Sequence, residues 1–304
     1  MEKFDVNILG CGSALPTTRH LPTSQVVNFR DKLFMIDCGE GAQLQLRRMK
    51  LKFTRLNHLF ISHLHGDHCF GMVGMLSTLG LLGRTGDFYV HAHPDAEKVF
   101  RPMLDYFCKE LPFEVKFEAI SPNKHEVIYE DRGLKVYTLP LKHRVPSTGF
   151  LFEEKQKERH LKPDMIKFWQ IPLKSLQAIK EGADWVTPEG DVVKNHVLTN
   201  PASPSRKYAY CSDTAYTEKI IPWIEGADLL YHEATFAEDA LPRARETQHS
   251  TARQAATIAL KANVKKLMLG HFSARYNDDK ILLQEAKIIF PETCLAREEL
   301  SVSI

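Results

Sequence analysis

Runs of apolar residues at strand spacing alternate along the chain with longer stretches at helical spacing, which predicts a mixed α/β architecture. Residues 4–9 read as a strand closed by the tight turn Gly10-Cys11-Gly12-Ser13. Residues 25–29 and 33–36 read as a hairpin across Arg30-Asp31-Lys32. A helix then runs to about Lys50 with Leu44, Leu46 and Met49 as its apolar positions. The short apolar run Leu59-Phe60-Ile61 reads as a buried strand. Residues 69–82 read as one buried helix carrying Met72, Met75, Leu76 and Leu79. Strands are predicted over 87–93, 113–120, 127–130, 134–139, 148–152, 207–211, 227–231 and 264–269. Helices are predicted over 252–262, with Ser250 or Thr251 as its cap, and over 279–289. A short strand closes the chain.

The chemistry is concentrated where these strands end. After Ile61 the chain reads Ser62-His63-Leu64-His65-Gly66-Asp67-His68. His63 and His65 stand two apart, so near a strand end both project to one side. Gly66 permits a sharp turn, and Asp67 and His68 fall where the next helix starts. Imidazole and carboxylate donors suit Zn²⁺, Fe²⁺ or Mn²⁺, and two groups before the turn with two after it can hold two adjacent ions. No cysteine completes a tetrahedron, so a purely structural zinc site is disfavoured. The plain alternative is a polar surface loop, which three histidines and an aspartate within six positions make a poor account. Asp37, at the end of another strand, can bond this loop or cap the following helix. A second His-x-His, His91 and His93, is not followed by Asp-His; Pro94 opens a helix instead, and the pair reads as structural. Asp213 after the 207–211 strand can bridge two ions through its two oxygens.

With 43% hydrophobic and 26% charged residues in 304, the chain is an ordinary globular sequence. A net charge of +2 offers no global attraction to nucleic acid, so any such attraction is local. It has one candidate seat. Between residues 155 and 180 lie Lys155, Lys157, Arg159, Lys162, Lys167, Lys174 and Lys180 against only Glu158 and Asp164, a local charge of +5. Phe168 and Trp169 sit among them. Such a segment can follow a phosphate backbone and stack on bases; the alternative is a solvated excursion with no partner. The six cysteines are scattered without a C-x-x-C pair, as in a reduced, cytoplasmic protein. The first residues lack a signal-peptide pattern, and the apolar run 71–83 is too short to span a bilayer, so no membrane association is expected.

The His63-x-His65-x-Asp67-His68 motif resembles the signature of the metallo-β-lactamase superfamily. Ser212-Asp213-Thr214, His232-Glu233-Ala234-Thr235, His249-Ser250-Thr251 and Gly270-His271-Phe272-Ser273-x-Arg275-Tyr276 narrow the likeness. Together, and nearly end to end, they resemble the short form of the ribonuclease Z family, the tRNA 3′-processing endonucleases. That resemblance implies an α/β (α+β) metallo-β-lactamase fold: a four-layer αββα sandwich forming one domain over 1–304, with a basic tRNA-binding arm inserted at 153–206. It implies two Zn²⁺ per subunit, with Mn²⁺ or Fe²⁺ as alternatives. His63, His65 and His143 would hold one ion, Asp67, His68 and His271 the other, and Asp213 would bridge them. A hydroxide shared by the ions would attack phosphorus, with Asp67 orienting or deprotonating the water. His249, oriented by Glu233, would protonate the leaving ribose oxygen. The implied substrate is precursor tRNA, cut to a 3′-hydroxyl on the tRNA and a 5′-phosphate on the trailer. The implied assembly is a homodimer in which one subunit's arm grips tRNA at the other's site. Substrate contacts would fall to Arg19, Lys155, Lys157, Arg159, Lys162, Lys167, Arg275 and Tyr276.

The chain departs from the family pattern in two places. The stretch Phe168-Trp169-Gln170-Ile171-Pro172-Leu173-Lys174 keeps a proline but lacks the glycines of the usual knuckle. Pro16–Thr23 carries Arg19 but not the common Lys/Arg-Asn loop. Two other functions fit parts of the pattern: a metal-dependent hydrolase of small phosphodiesters or of lactones and thioesters, and a non-enzymatic tRNA-binding protein.

Overall fold

The computed structural model describes residues 2–304. Two seven-stranded sheets face each other. The first runs, in spatial order, Ser301–Ser303, Phe4–Gly10, Ser24–Phe29, Lys32–Cys38, Leu56–Phe60, Phe88–Ala92 and Val115–Ala119. The second runs Thr293–Leu295, Leu267–Gly270, Leu229–Glu233, Lys207–Cys211, Thr148–Glu154, Leu134–Pro140 and Val127–Glu130. Each sheet is antiparallel in one half and parallel in the other. Parallel strands deliver their carboxyl ends to one common edge, and α/β proteins bind ligands at that edge.

Aromatic rings fill the seam between the sheets. Phe60 lies 5.5 Å from Phe150 and 5.6 Å from Phe152, and Phe34 lies 6.0 Å from Phe152. Within a strand the faces divide by parity: Phe34 and Ile36 enter the seam, while Leu33 and Met35 face the helices outside. Helices Ala42–Arg48, Met72–Leu81 and Asp95–Phe107 cover the first sheet. Ala252–Lys261 and Lys280–Ile289 lie outside the second, burying Ala255, Ala256, Ala259, Leu282 and Ala286. Helix, sheet, sheet, helix is the four-layer order that the resemblance implied.

Local expectations fail at three points. Residues 69–82 are not one helix. The turn Gly66–Cys69 and the helix Met72–Leu81 meet at Phe70-Gly71, where Gly71 N donates to Cys38 O at 2.8 Å. A side chain at Gly71 would collide with Gly39 O at 2.3 Å, so the backbone approach itself requires glycine there. Leu44 points to solvent, and the helix buries Leu46 with Ala42 and Gln45 instead. The closing strand is two strands, Thr293–Leu295 and Ser301–Ser303, one in each sheet. Thr251 is the cap of its helix, in a capping box with Gln254.

Residues 155–206 interrupt two neighbouring antiparallel strands of the second sheet, Thr148–Glu154 and Lys207–Cys211, which pair at Glu153 and Lys207. The segment carries its own short strand pairs, His160–Leu161 with Thr199–Asn200 and Trp185–Val186 with Val192–Val193. A small separate core holds it together: Ile171, Ile179, Val193 and Leu198. Its root is clamped by the Arg206 guanidinium, which donates to both oxygens of buried Glu154 at 2.8 and 3.0 Å.

Candidate metal centre

Four chain segments converge at the strand edge. The loop after Leu56–Phe60 brings His63, His65, Asp67 and His68. His143 follows Leu134–Pro140, Asp213 follows Lys207–Cys211, and His271 follows Leu267–Gly270. Asp213 (φ 48°), His271 (φ 58°) and Asp37 (φ 54°) all adopt the left-handed backbone. Asp and His tolerate that region better than most side chains, and such conformations cluster at working sites.

Asp213 sits between two sets of imidazoles. Its Oδ2 lies 3.6 Å from His63 Nε2 and 3.7 Å from His143 Nε2. Its Oδ1 lies 3.2 Å from His68 Nε2 and 3.1 Å from His271 Nε2. Asp67 Oδ2 closes the second set, 3.3 Å from His68 Nε2 and 3.5 Å from His271 Nε2. His65 Nδ1 joins the first, 2.9 Å from His63 Nε2. The donor atoms of His63, His65, His143 and Asp213 lie within 4.8 Å of one another, as do those of Asp67, His68 and His271.

On three of these histidines the second ring nitrogen is spoken for. His68 Nδ1 donates to Asp37 Oδ2 at 2.8 Å, His143 Nδ1 to Gln248 O at 3.0 Å, and His271 Nδ1 to Thr235 Oγ1 at 2.9 Å. Those bonds put the proton on Nδ1 and leave Nε2 a lone pair. Yet Nε2 of His68, His143 and His271 is buried without a hydrogen-bond partner. Three orphaned buried nitrogens aimed at one carboxylate, with oxygen and nitrogen donors only, fit divalent cations. Asp37 is no helix cap: Gly41 fills that position. Its carboxylate instead accepts from Ser62 N (2.7 Å), Ser62 Oγ (2.8 Å), Tyr210 OH (2.6 Å) and His68.

Beside this cluster, His249 Nδ1 lies 2.8 Å from Glu233 Oε1, and its Nε2 lies 4.0 Å from Asp213 Oδ2. Glu233 is fully buried. Burial opposes its charge, but His249, Thr214 N (2.8 Å) and Thr235 Oγ1 (2.6 Å) hold it in the anionic form. Burial likewise works against charge on His249, and Glu233 overcomes it, pushing the imidazole up to about 9.

Of the expected substrate-contact residues, all but Lys167 are already engaged. Arg19 donates to the carbonyls of Tyr276 and, at 2.7 Å, Asn277. Arg275 covers the Phe236 ring, and Tyr276 OH accepts from Ala237 N at 2.8 Å. In the insert, Lys155 pairs with Glu130, Lys157 with Glu154 (3.1 Å) and Lys180 with Glu158 (3.4 Å). Arg159 donates to Thr199 Oγ1 and Lys162 to His196 O. The expected set omitted Lys142 and Arg245, which line a cavity of about 320 Å³ opening at His249. Their adjacency to His143 and His249 was the available signal. The second His-x-His is structural: His91 is buried, stacked 4.5 Å from Phe60, and bonded to His58 at 3.0 Å.

Paired mixed sheets with imidazoles and carboxylates gathered at their common edge define a metallo-β-lactamase-fold, divalent-metal hydrolase. Residues 196–272 match the model of the beta-lactamase superfamily domain, and residues 4–167 that of the anti-Pycsar protein Apyc1. The metallo-beta-lactamase fold protein YhfI from Bacillus subtilis superposes with a TM-score of 0.71 over all of both chains at 19% identity. Ribonuclease Z of Bacteroides thetaiotaomicron is 60% identical over all 304 residues and 96% of its own length. Human tRNase Z, short form, is 25% identical with a TM-score of 0.71 over 99% of both chains. The chain belongs to the ribonuclease Z family and is an endoribonuclease. Among the described residues, no helix is long and apolar enough to cross a membrane.

Proposed function

We propose that this enzyme removes 3′ trailers from precursor tRNA, using a two-cation centre with His249 as the proton donor. The carrying observation is Asp213, which turns one oxygen to each imidazole set and has the Glu233–His249 pair at its side. His63, His65 and His143 would hold one cation, Asp67, His68 and His271 the second, and Asp213 both; the imidazole-rich set suits zinc. Cations bound there would lower the pKa of water and neutralise charge on the phosphate oxygens.

The side chains do the rest. Asp67 turns Oδ2 to His68 and His271; Oδ1 is the acceptor for the attacking water. Glu233 holds His249 Nδ1, so the free proton is the one on Nε2, on the Asp213 side. As the water oxygen bonds to phosphorus, the bond to the ribose 3′-oxygen breaks and His249 gives that oxygen its proton. The products are a tRNA 3′-hydroxyl and a trailer 5′-phosphate. Residues 153–206 act as the arm that grips tRNA, and the enzyme is a homodimer in which each arm serves the partner's site. The human relative's description as a tRNase Z supports this substrate. Six free cysteines fit a reducing, cytoplasmic setting.

Cleavage of a precursor tRNA with its ends mapped is the direct test. Cutting at the trailer junction is expected, and His249→Ala is expected to lose about a hundredfold or more in rate while retaining its metal. Turnover of small phosphodiesters with precursor tRNA left intact would overturn the reading.

A further inference from the structure

A second group of metal-ligating side chains lies outside the strand-edge centre. Cys11, leaving the first strand, points its buried Sγ at His20 Nδ1 (3.3 Å) and Glu298 Oε1 (3.6 Å). His20 Nδ1 and Glu298 Oε2 are 3.2 Å apart. Donors held by zinc at about 2.0–2.3 Å in a tetrahedron stand about 3.3–3.6 Å from one another; the two distances from Cys11 Sγ match that spacing, and one donor atom from each of Cys11, His20 and Glu298 lies within 4.8 Å of the others. An independent feature points the same way. His20 Nε2 lies 2.8 Å from Asp279 Oδ2, the carboxylate–histidine arrangement that orients a ligating imidazole and fixes its free nitrogen.

We propose that Cys11, His20 and Glu298 form a second zinc site, separate from the strand-edge centre, with Asp279 orienting His20. The His20 and Glu298 side chains retain 13% and 16% of their exposure, which gives the ion a way in and a water the fourth position.

The site joins three distant parts of the chain. Cys11 O accepts from Phe272 N at 3.0 Å and Phe272 O from Ser13 N at 3.1 Å. Phe272 follows His271, and the His20 ring packs 5.5 Å from it. Glu298 Oε1 also accepts from Leu21 N at 2.9 Å. A cation here would tie the loop after the first strand to the His271 segment and to the C-terminal loop.

Cobalt distinguishes the two centres, because the strand-edge set has no sulfur. The full chain, stripped of metal and loaded with Co²⁺, should show a near-ultraviolet thiolate-to-cobalt charge-transfer band. Cys11→Ser should lose the band and one metal equivalent per chain, and Cys69→Ser should keep both. Asp279→Asn retains all three ligands and should bind the band-producing cobalt about ten- to a hundredfold more weakly. Absence of the band in the unaltered protein, its survival in Cys11→Ser, or unchanged affinity in Asp279→Asn would each overturn the proposal. None of these readouts depends on cleavage activity, so the site stands or falls apart from the tRNA reading.

Discussion

The strand-edge centre and the insert at 155–206 use charge in opposite ways. At the strand edge, Asp37, Asp213 and Glu233 are buried, each accepting hydrogen bonds from or facing several fixed groups, on strands packed on both sides. In the insert most basic side chains sit at the surface and close on nearby acids or carbonyls, around a core of four buried apolar residues. Lys167 and Lys174 are the exceptions: among the described residues neither makes such a bond, and both lie close to exposed Phe168 and Leu173. Chemistry at phosphorus needs positions fixed to a fraction of an ångström, which a two-sheet frame supplies. In the proposed role, holding a polyanion needs reach and positive potential, which a lightly cored excursion would supply at little cost to the frame.

The contrast is sharpest at Asp213. Asp213→Asn keeps the side-chain shape and tolerates the left-handed backbone but removes the charge shared by both imidazole sets. A loss of about a thousandfold in turnover is expected on RNA and on a small phosphodiester alike, measured as initial rates alongside metal content. Replacing residues 155–206 by a short turn should separate the substrates. RNA cleavage should fall about a hundredfold in kcat/KM and small-phosphodiester cleavage barely change. Equal losses on both would erase the division of labour. Asp37→Ala, which touches no substrate, should weaken metal binding about ten- to a hundredfold by freeing His68 and Ser62, read by chelator competition. Lys167→Glu with Lys174→Glu should weaken RNA binding several-fold and flatten its salt dependence by about two phosphate contacts.

Two histidines give the frame an acid weakness. Burial holds His58 down to about 4 and His91 down to about 3, both below the ~6.5 of an exposed histidine. Between those values the unfolded chain binds more protons than the folded one. This contribution to stability is therefore complete above pH ~6.5 and declines as pH falls through that window, by about 3 kcal/mol for each histidine near pH 4. Denaturant midpoints at pH 7 and pH 5 should show the loss, and His91→Phe should reduce it.

Legibility followed sequence distance. His63 to His68 were readable as chemistry because four donors fall within one turn of chain. Asp213 could be read as a candidate bridge from its place after a strand, but His143 and His271 became candidate ligands only through the family likeness. Nothing local says that their strands end at a common edge. The insert's composition advertised its charge but not its pairing, since Glu130 and Glu154 lie outside it in sequence. The break at Phe70-Gly71 escaped because apolar spacing is blind to a backbone passing close to Gly39. Cys11 and Glu298 are 287 residues apart and carry no joint signal at all.

The pairing of Glu153 with Lys207 means that the insert leaves and re-enters the sheet at adjacent points. It is, topologically, an overgrown hairpin loop. Such a loop can be lengthened, trimmed or exchanged over evolutionary time without shifting the register of either flanking strand, so substrate range can drift while the catalytic edge stays put.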